Sequence, residues 1–79
     1  MIKELDAVAL TADLPRHGLE LGDVGAVVHV YEGGHAYQVE FTTFDGKTVA
    51  LAKVSAGQIR PLGDKEIHHA RAFAPAGRS

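Results

Sequence analysis

GDVGAVVHVYEGGHAYQVEF, residues 22–41, reads as one long β-hairpin. β-Branched and aromatic residues fill both arms, and Gly33-Gly34 sits between them. Such runs favour strands, and two glycines supply the positive φ that a tight two-residue turn requires. That turn predicts pairing of Glu32 with His35, Val30 with Tyr37, Val28 with Val39 and Ala26 with Phe41. The last three pairs are apolar and make one buried face. The other face then carries Tyr31 with Ala36, His29 with Gln38 and Val27 with Glu40. A one-residue slip would set Gln38 and Glu40 against the core valines, so the pattern specifies its own register. Gly25 marks an expected bend where another strand comes close.

On the N-terminal side, residues 5–11 (LDAVALT) form an expected first strand with Val8 and Leu10 inward. Residues 12–23 make a long connection. Pro15 fixes its own φ and favours extended geometry at Leu14. Leu14, Leu19 and Leu21 are apolar within this polar loop, which predicts a lid over an open end of the core. On the C-terminal side, residues 43–47 (TFDGK) suit a three-residue loop with Gly46 left-handed, pairing Thr43 with Lys47. Val49 and Leu51 then join the core, and Ala50 and Ala52 face out. A two-residue Asp45-Gly46 turn would expose Val49 and Leu51 instead. Residues 54–58 suggest one helical turn, and residues 59–62 a short closing strand. Pro61 cannot donate to a ladder, so that strand belongs at an edge. The expected all-β domain therefore spans residues 3–63, a small five-stranded SH3-like barrel. Residues 64–79 form a C-terminal tail, mobile or a short helix, that a partner could order.

With 79 residues the chain has room for one small core. It contains no Cys, which excludes disulfides and thiolate metal sites and fits a reducing, cytoplasmic setting. No apolar run could span a bilayer, and the first residues lack the layout of a secretory signal. The net charge of −2 and the absence of a basic run argue against non-specific nucleic-acid binding.

A wider pattern runs through Leu5-Asp6, Pro15, His17-Gly18-Leu19, Gly22-Asp23-Val24-Gly25, Val27-Val28-His29-Val30-Tyr31, Tyr37, Val39-Glu40-Phe41, Asp45-Gly46, Thr48-Val49-Ala50 and Ile59-Arg60-Pro61. It resembles the small bacterial proteins of domain of unknown function 4926. Residues 22–28 are also similar to the turn-and-strand signature of KOW-type and other SH3-like domains, including the barrel of the nitrile hydratase β subunit. The resemblance implies a fold. It brings no activity and no catalytic residues.

The chemistry-bearing residues point the same way. The histidines are His17, His29, His35, His68 and His69. His68 and His69 are adjacent and point apart on any regular element. A site from His17, His29 and Glu40 would depend on loop placement, and no metal or other cofactor is expected. Ser55 reads as the cap of the following turn. No acid–base pair has diagnostic spacing, so no catalytic residue is assigned. Residues 22–25 lead into a strand and are no phosphate loop. The strongest candidate surface is Val27, His29, Tyr31, Gln38 and Glu40, because Tyr and His suit an interface. Arg16, His17, Leu19 and Glu20 form a second candidate on the loop that flanks the ligand groove in SH3-like barrels. The expectation is a non-catalytic interaction module whose partner is a protein, or itself as a homodimer. The alternatives are an accessory or antitoxin-like subunit for a neighbouring-gene enzyme or toxin, and a KOW-like RNA-binding module.

Overall fold

The computed structural model describes residues 2–73. Five strands follow one another: β1 (Ala7–Leu10), β2 (Val24–Val30), β3 (Ala36–Thr42), β4 (Thr48–Ser55) and β5 (Ile59–Pro61). They form one antiparallel sheet in the order β4-β3-β2-β1-β5. The all-β class holds. The sheet is open between β4 and β5, so "barrel" describes its curl and not a closed ladder. A 3-10 turn, Ala56–Gln58, carries the chain from one edge to the other. Gln58 Oε1 fixes its start by accepting from the Ser55 N–H at 2.8 Å and hydroxyl at 3.3 Å.

The core is one apolar cluster that includes Val8, Leu10, Leu19, Val27, Tyr37, Val39, Phe41, Val54 and Ile59. Val8 and Leu10 point inward as the alternation of β1 predicts. Gly25 lies where the sheet is tightest. A Cβ there would come within 2.7 Å of Val39 Cγ1 and 2.8 Å of the Glu40 carbonyl oxygen. Only glycine lets β2 pass this close to β3.

The hairpin departs from its expected register in two places. Val30 pairs with Tyr37 and His29 with Gln38, as the pattern requires. The connection, however, is closed by the Tyr31–Ala36 pair, whose N–H···O bond is 3.0 Å, so Glu32 and His35 belong to the loop. Gly33 and Gly34 both take positive φ, at 82° and 68°. Below His29 the register shifts, and Val27 pairs with Val39. Val28 is thus the extra residue of a β-bulge. A bulge moves everything beyond it to the opposite face. Val27 is fully buried, and Val28 is 39% exposed. The expectation that Val28 lies inside and Val27 outside is therefore reversed.

A second bulge acts the same way on β4. The expected loop forms: Thr43 N–H donates to Lys47 O at 2.9 Å, and Gly46 has φ 89°. The register then shifts between Phe41 and Thr42, so that Phe41 pairs with Ala50 and Thr42 with Thr48. Ala52 is buried against the core and Leu51 is 54% exposed. The expected inward Leu51 and outward Ala52 are exchanged, and Val49 and Ala50 are both half-buried. Ala52 sits opposite Val39, next to Tyr37 and Phe41, so the core accepts a methyl group where a leucine would overfill it.

The loop before β2 works partly as the expected lid. Leu14 and Leu19 bridge each other across a 3-10 turn, Pro15–His17. Leu19 is buried, Leu14 is half-buried and Leu21 stays exposed. The chain after β5 has no helix over residues 64–73. It is held instead by two ion pairs. Arg60 donates to both Glu66 carboxylate oxygens at 2.8 Å. Arg71 donates to Asp23 at 2.9 and 2.6 Å and to the Gly18 carbonyl at 3.0 Å. The rest of the expected tail, residues 74–79, lies outside the described residues.

Candidate interaction face

Alternation along β2 and β3, counted from the hairpin loop, sends His29, Tyr31, Gln38 and Glu40 to the outer face of the sheet. Gln38 pairs with His29 on one side and Lys53 on the other, so the three stand in one row. Tyr31 closes the next row and leans over this one. Its hydroxyl donates to Gln38 Oε1 at 2.8 Å. Lys53 Nζ stands 4.6 Å from the centre of its ring, a cation–π distance. The His29 ring meets it edge-on, with centroids 4.7 Å apart and planes at 87°. On the far side of His29, Nδ1 is 4.0 Å from Glu4 Oε2. Glu40 stands one row away and accepts from the Thr48 hydroxyl at 2.5 Å.

Of the five face residues named from the sequence, His29, Tyr31, Gln38 and Glu40 share this surface. Val27 does not, because the Val28 bulge turns it into the core. Lys53 was missed. The one signal for it was the phase of β4. Counting Val49 and Leu51 inward also drives Lys53 inward, which a charged side chain resists. The alternative phase, Thr48, Ala50, Ala52 and Val54, carries no charge.

The second candidate set divides. Arg16 and His17 are exposed at the 3-10 turn. With Asp13, Leu14, Pro15, Gln58 and Lys53 they line a shallow groove of about 530 Å³. Lys53 therefore belongs both to this groove and to the Tyr31 cluster. Leu19 is a core residue and makes no surface. Glu20 faces Arg71 at 3.7 Å, on the other side of the loop. A smaller hollow there, about 280 Å³, is lined by Glu20, Arg71 and Gly18 among others.

The perturbed carboxylates sit outside the groove between Lys53 and the 3-10 turn. Hydrogen bonds from Arg60, then from the Gly63 N–H, hold Glu66 down at about 2. Burial pushes Asp23 up. Hydrogen bonds from Arg71 and the Glu20 N–H outweigh it and leave the carboxyl below its ordinary value. Both of these carboxylates sit in ion pairs that hold the chain after β5. Among the described residues no three of His, Cys, Asp and Glu come together to hold a metal. No described helix is long and apolar enough to cross a membrane.

The sequence profile of one family, Domain of unknown function (DUF4926), matches residues 4–61. The chain belongs to that family. The DUF4926 match starts just before β1 and ends with β5, so it covers the whole sheet and both bulges. The Arg71 clasp lies beyond it. Searches of curated proteins and of solved structures found no match.

Proposed function

We propose that this chain is a non-catalytic interaction module that binds a protein through the outer face around Tyr31. The observation that carries this is the immobilised tyrosine. Its hydroxyl bonds Gln38, and its ring meets the Lys53 ammonium and the His29 ring. A half-buried aromatic already held in one rotamer loses little entropy on binding, and tyrosine is among the residues that dominate interface energies. Val28 and Leu51, both exposed, extend the same sheet face with apolar surface. The polar groups support binding more than chemistry: the Ser55 hydroxyl is taken up by Gln58, and Glu40 by Thr48.

The test is partner recovery from cells that natively make the chain, with solution mass measured on the pure protein. Wild type should retain one stoichiometric protein partner, or form a dimer, and Tyr31→Ala should lose it by about tenfold or more in affinity. Gln38→Ala, which frees the ring without removing it, should fall between. Retention of the same partner by Tyr31→Ala places binding elsewhere. A turnover that disappears in Glu40→Gln or His29→Ala replaces the proposal with an enzyme.

A further inference from the structure

β4 is an outer strand of the sheet, and its hydrogen-bonding phase can be read directly. The Ala56 N–H donates to the His35 carbonyl at 3.0 Å. Ala36 pairs with Ser55, so Tyr37–Val54 and Val39–Ala52 continue the bonded phase at intervals of two. Leu51 and Lys53 therefore turn their N–H and C=O groups away from β3. Ser55, next in this phase, already has its N–H satisfied by Gln58. The open edge faces the groove that Lys53 shares with Pro15, Arg16 and His17. Open strand edges in natural proteins are normally short, blocked or covered. Among the described residues nothing pairs with these four backbone groups of Leu51 and Lys53, which stand beside a groove wall.

We propose that this edge accepts an extended acidic peptide of a partner protein as a sixth strand. The proposal rests on the reading of the Tyr31 face as an interaction surface and extends it, through Lys53, to the adjoining strand edge. Charge selects the occupant. Arg16 and Lys53 bring two positive charges to the groove and His17 a ring N–H donor. The one carboxylate in its lining, Asp13, already accepts the Leu21 N–H at 2.8 Å. Strand addition gains affinity from main-chain bonds and specificity from alternate side chains. On the outer face the guest would set an acidic residue opposite Lys53 and an apolar one opposite Leu51, two positions apart. In the antiparallel sense this reads as acidic, any residue, apolar. The intervening side chain points to the groove wall, where Arg16 and His17 favour a second acid.

The probe is an acetylated, amidated octapeptide, Ser-Thr-Glu-Glu-Val-Thr-Thr-Ser, which carries the acid–acid–apolar triplet, titrated into the full chain while backbone amide resonances are followed. Expected are shifts at Leu51, Lys53, Arg16 and His17, and slowed hydrogen exchange of the Leu51 and Lys53 amides. Lys53→Glu should weaken binding by about tenfold or more, and the same peptide with lysine in place of both glutamates should not bind. N-methylation of the peptide's edge-facing amides should abolish binding, a control that leaves the protein unaltered. Leu51→Pro, which removes a free donor and no ladder bond, should do the same. Shifts confined to His29, Tyr31 and Gln38 would overturn the edge proposal and leave the interaction module standing. A dimer paired through β4 would do the same, and an oligouridylate that takes the groove when the peptide does not would overturn both readings. Absence of any partner at either surface would remove both readings.

Discussion

Leu5 is the one non-glycine residue with positive φ, 76°, among those described. It occupies the third position of a turn that Lys3 and Asp6 close: the Asp6 N–H donates to Lys3 O at 3.1 Å, and Asp6 Oδ2 accepts from the Lys3 N–H at 3.0 Å. That position suits glycine, and a β-carbon there costs about 1 kcal/mol or more. Nothing offsets the cost through packing, because Leu5 is 85% exposed. Leu5→Gly should therefore stabilise the fold by about 0.5 kcal/mol after the extra flexibility of the unfolded glycine is deducted. A rise in the urea midpoint at constant slope is the expected reading. A fall would show that the leucine has a contact in solution that the folded monomer lacks.

The two bulges govern the elements. Val27→Ala should cost about 2 kcal/mol, since it empties a fully buried site. Val28→Ala should stay within about 0.5 kcal/mol, as expected of a surface position. The reverse order of costs would place Val28 inside and Val27 outside, and return the hairpin to unbroken alternation. The pairing nearest the loop was legible, because Val30–Tyr37 and His29–Gln38 follow from counting out from the glycines. Counting fails at Val27-Val28, where two identical neighbours hide which one is extra. On β4 the rule that larger side chains go inside misled, for Leu51 is outside and Ala52 inside. Core volume decides there, and volume depends on strands that are distant in sequence. The site inherits the same division. His29, Tyr31, Gln38 and Glu40 could be read from β2 and β3 alone. Lys53 depended on the second bulge, and the Val27 assignment failed on the first. Asp23 and Arg71 carry no local signal, because the pair joins positions 48 residues apart.

For the whole molecule, the Arg71–Asp23 pair holds the last described residues against the turn before β2, while Arg60–Glu66 holds the chain nearer β5. Asp23 holds its proton less tightly when folded than when unfolded, from an ordinary value of 3.8. Its contribution is therefore complete above that value and is lost as pH falls through the lower, folded one. For a partly exposed pair the amount is about 1 kcal/mol. At pH values well below 3.8 the Arg71 Nε–H resonance should move to its free position while the sheet amides stay put. Asp23→Asn should produce the same release at neutral pH. An Arg71 signal unchanged by either would mean that the segment is held by other contacts, with Phe73 packed on the core the first to consider.

The pairing of β1 with β5 has a mechanical consequence. Val8 lies opposite Pro61 and Leu10 opposite Ile59, so the chain enters and leaves the sheet at the same end. Tension applied to the two ends would load these bonds one after another, as a zipper is drawn, and not all together in shear. The Arg71 clasp lies in series outside that zipper and takes the load first. Under a pull, the protein would yield at its tail clasp and then along β1 and β5, while β3 and β4 stay paired.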